Sequence, residues 1–119
     1  MARPGASGED LACRHLEAQG YRVVARNYRC RTGEIDLVAR HHATTVCVEV
    51  KERLGASHGQ GVESVTPGKR QRIVRAARQY AAKAGLLESP LRFDVISIDW
   101  RDGRPHIRHD ENAFDADGG

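Results

Sequence analysis

The chain has 119 residues, of which 39% are hydrophobic, 29% are charged and 5% are aromatic. These values predict a single small globular domain over residues 1–119, and they exclude a disordered or fibrous protein. No segment approaches the roughly 20 apolar residues of a membrane span, and residues 1–8 lack the apolar run of a secretory signal. We therefore expect a cytoplasmic protein with no membrane contact, whose three widely spaced cysteines are reduced.

The net charge of +3 is unevenly distributed along the chain. Residues 110–119 hold four carboxylates and no Lys or Arg, so residues 1–109 carry +7. A basic surface attracts polyanions, because neutralising phosphates releases their counterions. The charge favours a nucleic-acid partner, although many basic surfaces are merely solvated.

The first predicted element is a helix that Ser7 caps and Gly20 ends. Glu9, in its first turn, lies beside the apolar face and can reach inward. An acidic residue at this position is also favoured by the helix dipole without any function. A strand over 21–28 and a turn over 30–33 follow.

The next two segments, 34–40 and 45–51, alternate between apolar and polar residues, as half-buried strands do. A hairpin built from them has one apolar face. Its predicted members are Ile35, Leu37, Ala39, Val46, Val48 and Val50.

The register of this hairpin decides which polar residues meet. A four-residue loop over 41–44 places Asp36 opposite Glu49, and Glu34 opposite Lys51, on the other face. Glu34 then most simply forms an ion pair with Lys51 or faces solvent. Lys51 follows Glu49 by two residues, so strand alternation brings its ammonium group to the same face.

A Gly- and Ser-rich segment over 52–65 predicts a mobile loop. Thr66 then caps a second helix, which Gly85 ends. The polar arc of this helix is basic and is either a solvated face or a DNA contact. It contains Arg72, Arg75, Arg78 and Lys83.

The remaining predicted elements are a buried strand, a turn and a short edge strand. Residues 93–100 form a near-continuous β run, and the helix before them predicts that this strand lies parallel to the preceding one. A short edge strand over 106–110 follows a turn, and Phe114 anchors the end. Residues 115–119 are expected to fray.

The facing carboxylates predict a metal site. Opposite residues on adjacent strands have Cβ atoms about 4.5–5.5 Å apart, and like charges so placed are destabilising without compensation. Asp36 and Glu49 therefore suit Mg²⁺ or Mn²⁺, while Lys51 can stabilise developing negative charge and Arg53 can continue toward a substrate backbone. Either acid alone is more simply solvated or ion-paired. Their combination with Lys51 favours phosphodiester hydrolysis.

Two sets of motifs carry a family resemblance. Gly33-Glu34-Ile35-Asp36-Leu37 and Val48-Glu49-Val50-Lys51 resemble the acidic and Glu-x-Lys halves of the PD-(D/E)XK nuclease superfamily. Almost the whole chain resembles the small bacterial YraN family, which is described as endonuclease-like and related to archaeal Holliday-junction resolvases. The segments that carry this resemblance are Gly8-Glu9-Asp10-Leu11-Ala12, Gly20-Tyr21, Asn27-Tyr28, Lys69, Arg92-Phe93-Asp94-Val95 and Asn112-Ala113-Phe114.

The resemblance implies an α/β fold with a restriction-endonuclease-like three-layer core, in which helices flank a mixed central sheet of about five strands. It assigns metal binding and catalysis to Asp36 and Glu49, catalysis to Lys51, and the helix-borne acidic position to Glu9. Glu52 departs from the pattern, which would have a small uncharged residue there, but alternation points Glu52 away from Glu49.

The leading hypothesis is a Mg²⁺- or Mn²⁺-dependent endonuclease that acts on DNA, with branched or repair-intermediate DNA suggested by analogy. The expected nucleic-acid contacts are Arg53, Lys69, Arg72 and Arg75. One alternative is a nucleic-acid-binding module that keeps the fold but cleaves little. Another is an interaction protein whose helices face a partner. A two-fold homodimer would suit symmetric cutting, but no sequence pattern identifies an interface.

Overall fold

The computed structural model describes residues 7–54 and 65–117. The elements are α1 (Gly8–Ala18), β1 (Arg22–Cys30), β2 (Gly33–His41), β3 (Thr44–Leu54), α2 (Pro67–Ala84), β4 (Leu91–Arg101) and β5 (Arg104–Phe114). The strands form one sheet in the order β1-β2-β3-β4-β5, in which β3 and β4 are parallel and the other neighbours are antiparallel. A helix packs on each face, so the expected three-layer α/β core with a mixed sheet is confirmed.

Both helices begin and end at the residues that the sequence predicts. The Ser7 hydroxyl accepts a hydrogen bond from the Asp10 backbone N–H, and the Asp10 carboxylate accepts one from the Ser7 N–H, which completes a capping box. The Thr66 hydroxyl caps α2 by accepting a hydrogen bond from the Lys69 backbone N–H, and Gly85 ends the helix at φ +71°. Within the described residues, neither helix is long and apolar enough to cross a membrane.

Two apolar clusters lie on opposite faces of the sheet. The cluster under α1 contains Leu11, Leu16, Leu37, Ala39, Val46, Val48, Ile96 and Ile98, and the cluster under α2 contains Ile35, Val38, Cys47, Val65, Ile73, Val74, Phe93, Val95 and Phe114. Val65 is 1% exposed, so its assignment to a mobile loop is wrong. β3 also runs on to Leu54, and the rest of that predicted loop, 55–64, lies outside the described residues.

A close backbone approach sets α2 against β2. A Cβ atom added at Gly33 would lie 1.9 Å from the carbonyl oxygen of Arg72, so only glycine allows the helix backbone to come this near. The contact fixes the second turn of α2 over the start of β2. The same contact also holds the first turn of α2 close to this face of the sheet.

The register of the β2–β3 hairpin is confirmed as far as the ladder extends. Arg40 lies opposite Thr45, as the sequence predicts, and the pairing continues to Leu37 opposite Val48. The four-residue loop is wrong, because His41 and Thr44 also pair. The turn is therefore only two residues long, and positive φ at its first residue suits the twist of a tight hairpin.

Ile35 does not share the face of Leu37 and Ala39, so that part of the predicted apolar face is wrong. It packs in the cluster under α2, whereas Leu37 packs under α1. The residue between them, Asp36, accepts a hydrogen bond from the Val50 backbone N–H with its side chain (2.8 Å). The Asp36 side chain thus takes the place of a β2 backbone carbonyl as the acceptor for Val50. The strict two-residue alternation of β2 ends at this point.

β5 is a longer edge strand than the predicted 106–110. It extends over eleven residues, and the ring of its last residue, Phe114, stacks on Phe93 with centroids 5.2 Å apart. Phe114 is 2% exposed, which confirms its anchoring role. The register of β4 against β5 shifts between Phe93 and Val95, so the partner strand bulges opposite Asp94.

A buried polar network fills this bulge. Asp94 has no exposed surface, and its carboxylate accepts hydrogen bonds from Arg92 (2.8 and 2.9 Å), the His109 ring (2.8 Å) and the Asn112 backbone N–H (3.0 Å). The other ring nitrogen of His109 lies 3.1 Å from His15 on α1. The network therefore ties α1, β4 and β5 together.

Candidate metal centre

Asp36 lies where the β2–β3 ladder stops. Its Oδ2 is fixed by the Val50 N–H, and its carboxyl group also forms a hydrogen bond with that of Glu49. Burial and the negative charge of Glu49 together raise the pKa of Asp36 to about 7. A carboxyl group whose pKa is raised in this way, beside a second acid, is typical of a functional site.

Glu49 is the centre of the cluster. The residue is 4% exposed, and its Oε2 lies 2.6 Å from the Lys69 Nζ and 3.6 Å from the Lys51 Nζ. Asp36, Glu49 and Lys51 therefore converge as the sequence predicts, although Asp36 contacts Glu49 just beyond the last backbone pair of the β2–β3 ladder. Two ammonium groups share one carboxylate oxygen.

The two lysines respond differently to this arrangement. Burial and the neighbouring charge of Lys69 lower the pKa of Lys51. Burial also opposes the charge of Lys69, but the hydrogen bonds to Glu49 and Lys51 and the negative charges of Glu49 and Asp36 together outweigh it, and the pKa of Lys69 is raised. Lys69 thus keeps its proton more firmly, whereas the lowered pKa of Lys51 favours its neutral form.

Glu9 lies at the edge of the cluster rather than inside it. Its Oε1 accepts hydrogen bonds from Asn27 (3.1 Å) and Arg26 (3.4 Å), both on β1. Its negative charge contributes to the raised pKa of Asp36, so the two carboxylates act on each other. The first turn of α1 therefore brings a third acid near the site, held in place by β1.

Two other acids have partners outside the cluster. Glu34 lies 3.6 Å from the Arg29 guanidinium across the β1–β2 ladder, so the predicted pairing with Lys51 is replaced by this exposed ion pair. Glu52 accepts hydrogen bonds from the Gly8 backbone N–H (3.1 Å) and the Trp100 indole (2.7 Å). Glu52 thus serves the N-terminus of α1, where a negative charge is favourable.

The four residues expected to contact nucleic acid lie in three different places. Lys69 lies in the carboxylate cluster, a position that no spacing in the sequence reveals, since it depends on how α2 crosses the sheet. Arg72 and Arg75 lie on the exposed arc of α2, as predicted. Arg53 is half-buried on β3, two residues beyond Lys51.

The cluster fits an oxygen-seeking divalent cation. In residues 7–54 and 65–117, no group of three or more His, Cys, Asp or Glu side chains is arranged as a complete ligand set. Mg²⁺, however, is usually held by one or two carboxylates, with waters and substrate phosphate completing an octahedron. Asp36 and Glu49 supply this number of ligands, and hard carboxylate oxygens are the atoms that Mg²⁺ and Mn²⁺ prefer.

Comparison with known proteins places the chain in a family. The profile described as "Uncharacterised protein family UPF0102" matches residues 8–98. The chain belongs to the UPF0102 family. This is the YraN-like family, so the resemblance seen in the motifs is confirmed.

Similar UPF0102 proteins extend over nearly the same length as this one. A relative from Symbiobacterium thermophilum is 45% identical over 96% of this chain and 98% of its own. One from Anaeromyxobacter dehalogenans is 43% identical over 96% of this chain and 85% of its own, and one from Nocardia farcinica is 48% identical over 92% and 87%. The candidate centre lies within the part of the UPF0102 chain that the family profile covers.

Proposed function

We propose that this UPF0102 protein is a Mg²⁺- or Mn²⁺-dependent endonuclease that hydrolyses phosphodiester bonds in DNA, with branched or repair-intermediate DNA as its substrate class. One observation carries the proposal: two half-buried or buried carboxyl groups, Asp36 and Glu49, touch each other beside Lys51. Repulsion between two carboxylates this close destabilises the folded protein, and a bound cation would offset that repulsion.

The bound ion would supply charge neutralisation at the phosphate and would increase the acidity of the attacking water. Asp36 and Glu49 would hold it through their carboxylate oxygens. The Val50 N–H fixes Asp36 from behind, so one Asp36 oxygen is oriented by the backbone of the strand that carries Glu49. Hydrogen bonds of this kind from a second layer orient ligands and tune the site.

Lys51 is the residue that we assign to the charged transition state. Its side chain is 20% exposed and reaches Glu49 from the same strand, so it is oriented toward the place where a phosphate would approach the carboxylates. A positive group that is already in position stabilises developing charge without reorganisation. Its lowered pKa also permits Lys51 to exchange a proton with water or a leaving oxygen.

The surface next to the cluster suits a polyanion. Arg72 and Arg75 are exposed on α2, the helix that also carries Lys69 into the cluster. Cations on one helix can contact successive phosphates and position the duplex without reading its sequence. The preference for branched DNA rests on analogy with resolvases. A cytoplasmic location and a two-fold homodimer that cuts both strands belong to the same proposal.

A cleavage assay tests the proposal. The full chain is incubated with supercoiled, linear and four-way-junction DNA in Mn²⁺, in Mg²⁺ and in EDTA, beside Glu49→Gln and Lys51→Met. The matched control is Lys83→Met, which changes an exposed lysine in the last turn of α2. Cutting that needs metal, survives in the control and is lost in both site variants supports the nuclease.

Two other results would select the alternatives. Salt-sensitive retention of DNA without any cutting would identify a nucleic-acid-binding module with the same fold. If the protein neither retains nor cuts DNA, the interaction protein is the alternative that stands. In both cases the assignment of catalysis to Lys51 would be abandoned.

A further inference from the structure

Lys69 occupies an unusual place for a residue on a basic helix. The Thr66 hydroxyl caps its backbone N–H, so Lys69 is fixed in the first turn of α2. From there its Nζ reaches the Glu49 Oε2 at 2.6 Å, closer than the 3.6 Å of Lys51 to the same oxygen. The charge of Asp36 also acts on Lys69. Lys69 thus lies closer than Lys51 to the Glu49 carboxylate.

The charges in the cluster balance without any ion. Asp36 and Glu49, when both are ionised, carry two negative charges, and Lys51 and Lys69 carry two positive charges. Adding a divalent cation would leave an excess of two positive charges in a small, partly buried volume. Cations at such distances repel strongly where water is scarce.

The repulsion falls mainly on Lys69. Its Nζ contacts the Glu49 oxygen that a metal ion would also need, so both cannot approach this oxygen closely at once. The Lys69 side chain is 38% exposed and has a flexible four-carbon stem, whereas Lys51 is 20% exposed. Lys69 is therefore the ammonium group that can leave.

We propose that Lys69 is a resident counter-cation that holds the metal site in the metal-free protein, yields its place at Glu49 when a divalent metal ion binds, and then pairs with the phosphodiester of the substrate. This inference rests on the proposed function. Once released from Glu49, Lys69 lies one helical turn from the exposed Arg72 and gains a new anionic partner in the substrate phosphate. Lys69 thereby couples metal binding to phosphate binding.

The coupling makes Lys69 a positioning residue with two opposite effects. Without Lys69, the carboxylates have one cation fewer, and metal binds more tightly to the free protein. Without Lys69, the displaced ammonium group is also missing at the phosphate, so the maximal cleavage rate falls. A residue that only supports the fold would weaken both properties.

The test is a calorimetric titration of the full chain with Mn²⁺ alone, at fixed pH and low salt. Wild type is compared with Lys69→Met, and the matched control is Lys83→Met, on the same helix. We expect Lys69→Met to bind Mn²⁺ about tenfold more tightly than wild type, a change of ~1.4 kcal/mol. Lys83→Met should match wild type. Half-maximal cleavage by Lys69→Met should need less Mn²⁺, while its maximal rate is lower.

Two further variants separate the possible failures. If Glu49→Gln abolishes Mn²⁺ binding while Lys69→Met leaves the affinity unchanged or weaker, the inference about Lys69 is overturned and the metal centre stands. If Glu49→Gln binds Mn²⁺ as wild type does, the metal centre itself fails. Lys69→Ala repeats the test with a shorter side chain, and circular dichroism confirms that each variant is folded.

Discussion

Replacing Asp36 with Asn should stabilise the metal-free protein, although it removes a residue of the proposed centre. The amide oxygen of Asn can still accept the Val50 N–H, and the amide N–H can donate to Glu49. The shape and the hydrogen bonds are kept, while the repulsion between two carboxylates is removed. Stored strain of this kind at functional sites is a common trade of stability for activity.

The magnitude follows from the proton affinity of Asp36. Its pKa rises from 3.8 to about 7 on folding, because burial and Glu49 disfavour the charge. At ~1.36 kcal/mol per pH unit, the upper limit of the cost is ~4 kcal/mol. Asp36 is partly open to water and lies near two lysines, so the expected gain at pH 8 is reduced to about 1–2 kcal/mol.

The sign of the pH dependence distinguishes this cause from others. A carboxyl group whose pKa is raised by folding favours the folded state below the unfolded pKa, and this contribution is lost as the pH rises through the folded value. Wild type should therefore lose stability relative to Asp36→Asn between about pH 4 and pH 7. At pH 4 the two proteins should be nearly equal, because a protonated Asp resembles Asn.

Urea unfolding followed by circular dichroism in EDTA, at pH 4, 6 and 8, measures the difference. The control is Asp102→Asn, the same substitution in the exposed β4–β5 turn, where φ is +53° and Asn is well tolerated. If Asp36→Asn is no more stable than wild type at pH 8, or if the difference does not shrink toward pH 4, the electrostatic account of the site is refuted.

Three other predictions follow from the same structure. Mn²⁺ affinity should rise from pH 5.5 to pH 8 in a titration series, because Asp36 must lose its proton to bind metal, and a flat profile would argue against Asp36 as a ligand. Asp94→Asn should lower the free energy of unfolding by ~3–5 kcal/mol, since it leaves buried donors unpaired, and a loss below ~1 kcal/mol would contradict the network. Gly33→Ala should destabilise by more than ~2 kcal/mol in urea unfolding because the new Cβ meets the Arg72 carbonyl, whereas Gly68→Ala, which meets nothing within 4 Å, should be neutral or stabilising.

The register of the hairpin could be predicted because two independent signals agree. The apolar alternation of β2 and β3 fixes which residues face the core, and pairing of Arg40 with Thr45 follows from a short connection. The helix caps at Ser7 and Thr66 could also be predicted, since each hydroxyl precedes an uninterrupted helical segment. These signals are local, and the sequence carries them within a few residues.

The features that the sequence could not predict depend on how distant elements meet. Lys69 reaches Glu49 only because α2 packs closely over Gly33, and nothing in the spacing of a basic helix reveals this. The change of face at Ile35 depends on a side chain of β2 bonding to the backbone of β3. The buried network around Asp94 depends on the bulge in β5. The sequence pattern predicts only a short edge strand there, without a bulge.

The central claim is that Asp36 and Glu49 hold one divalent cation beside Lys51. Crystals of the full chain grown with Mn²⁺, with anomalous diffraction recorded at the manganese edge, test it most directly. We predict one anomalous peak within about 2.5 Å of an oxygen of each carboxylate, with the Lys69 ammonium group moved away from Glu49. A peak elsewhere, or carboxylates that keep their contact with Lys69 at saturating Mn²⁺, would contradict the account.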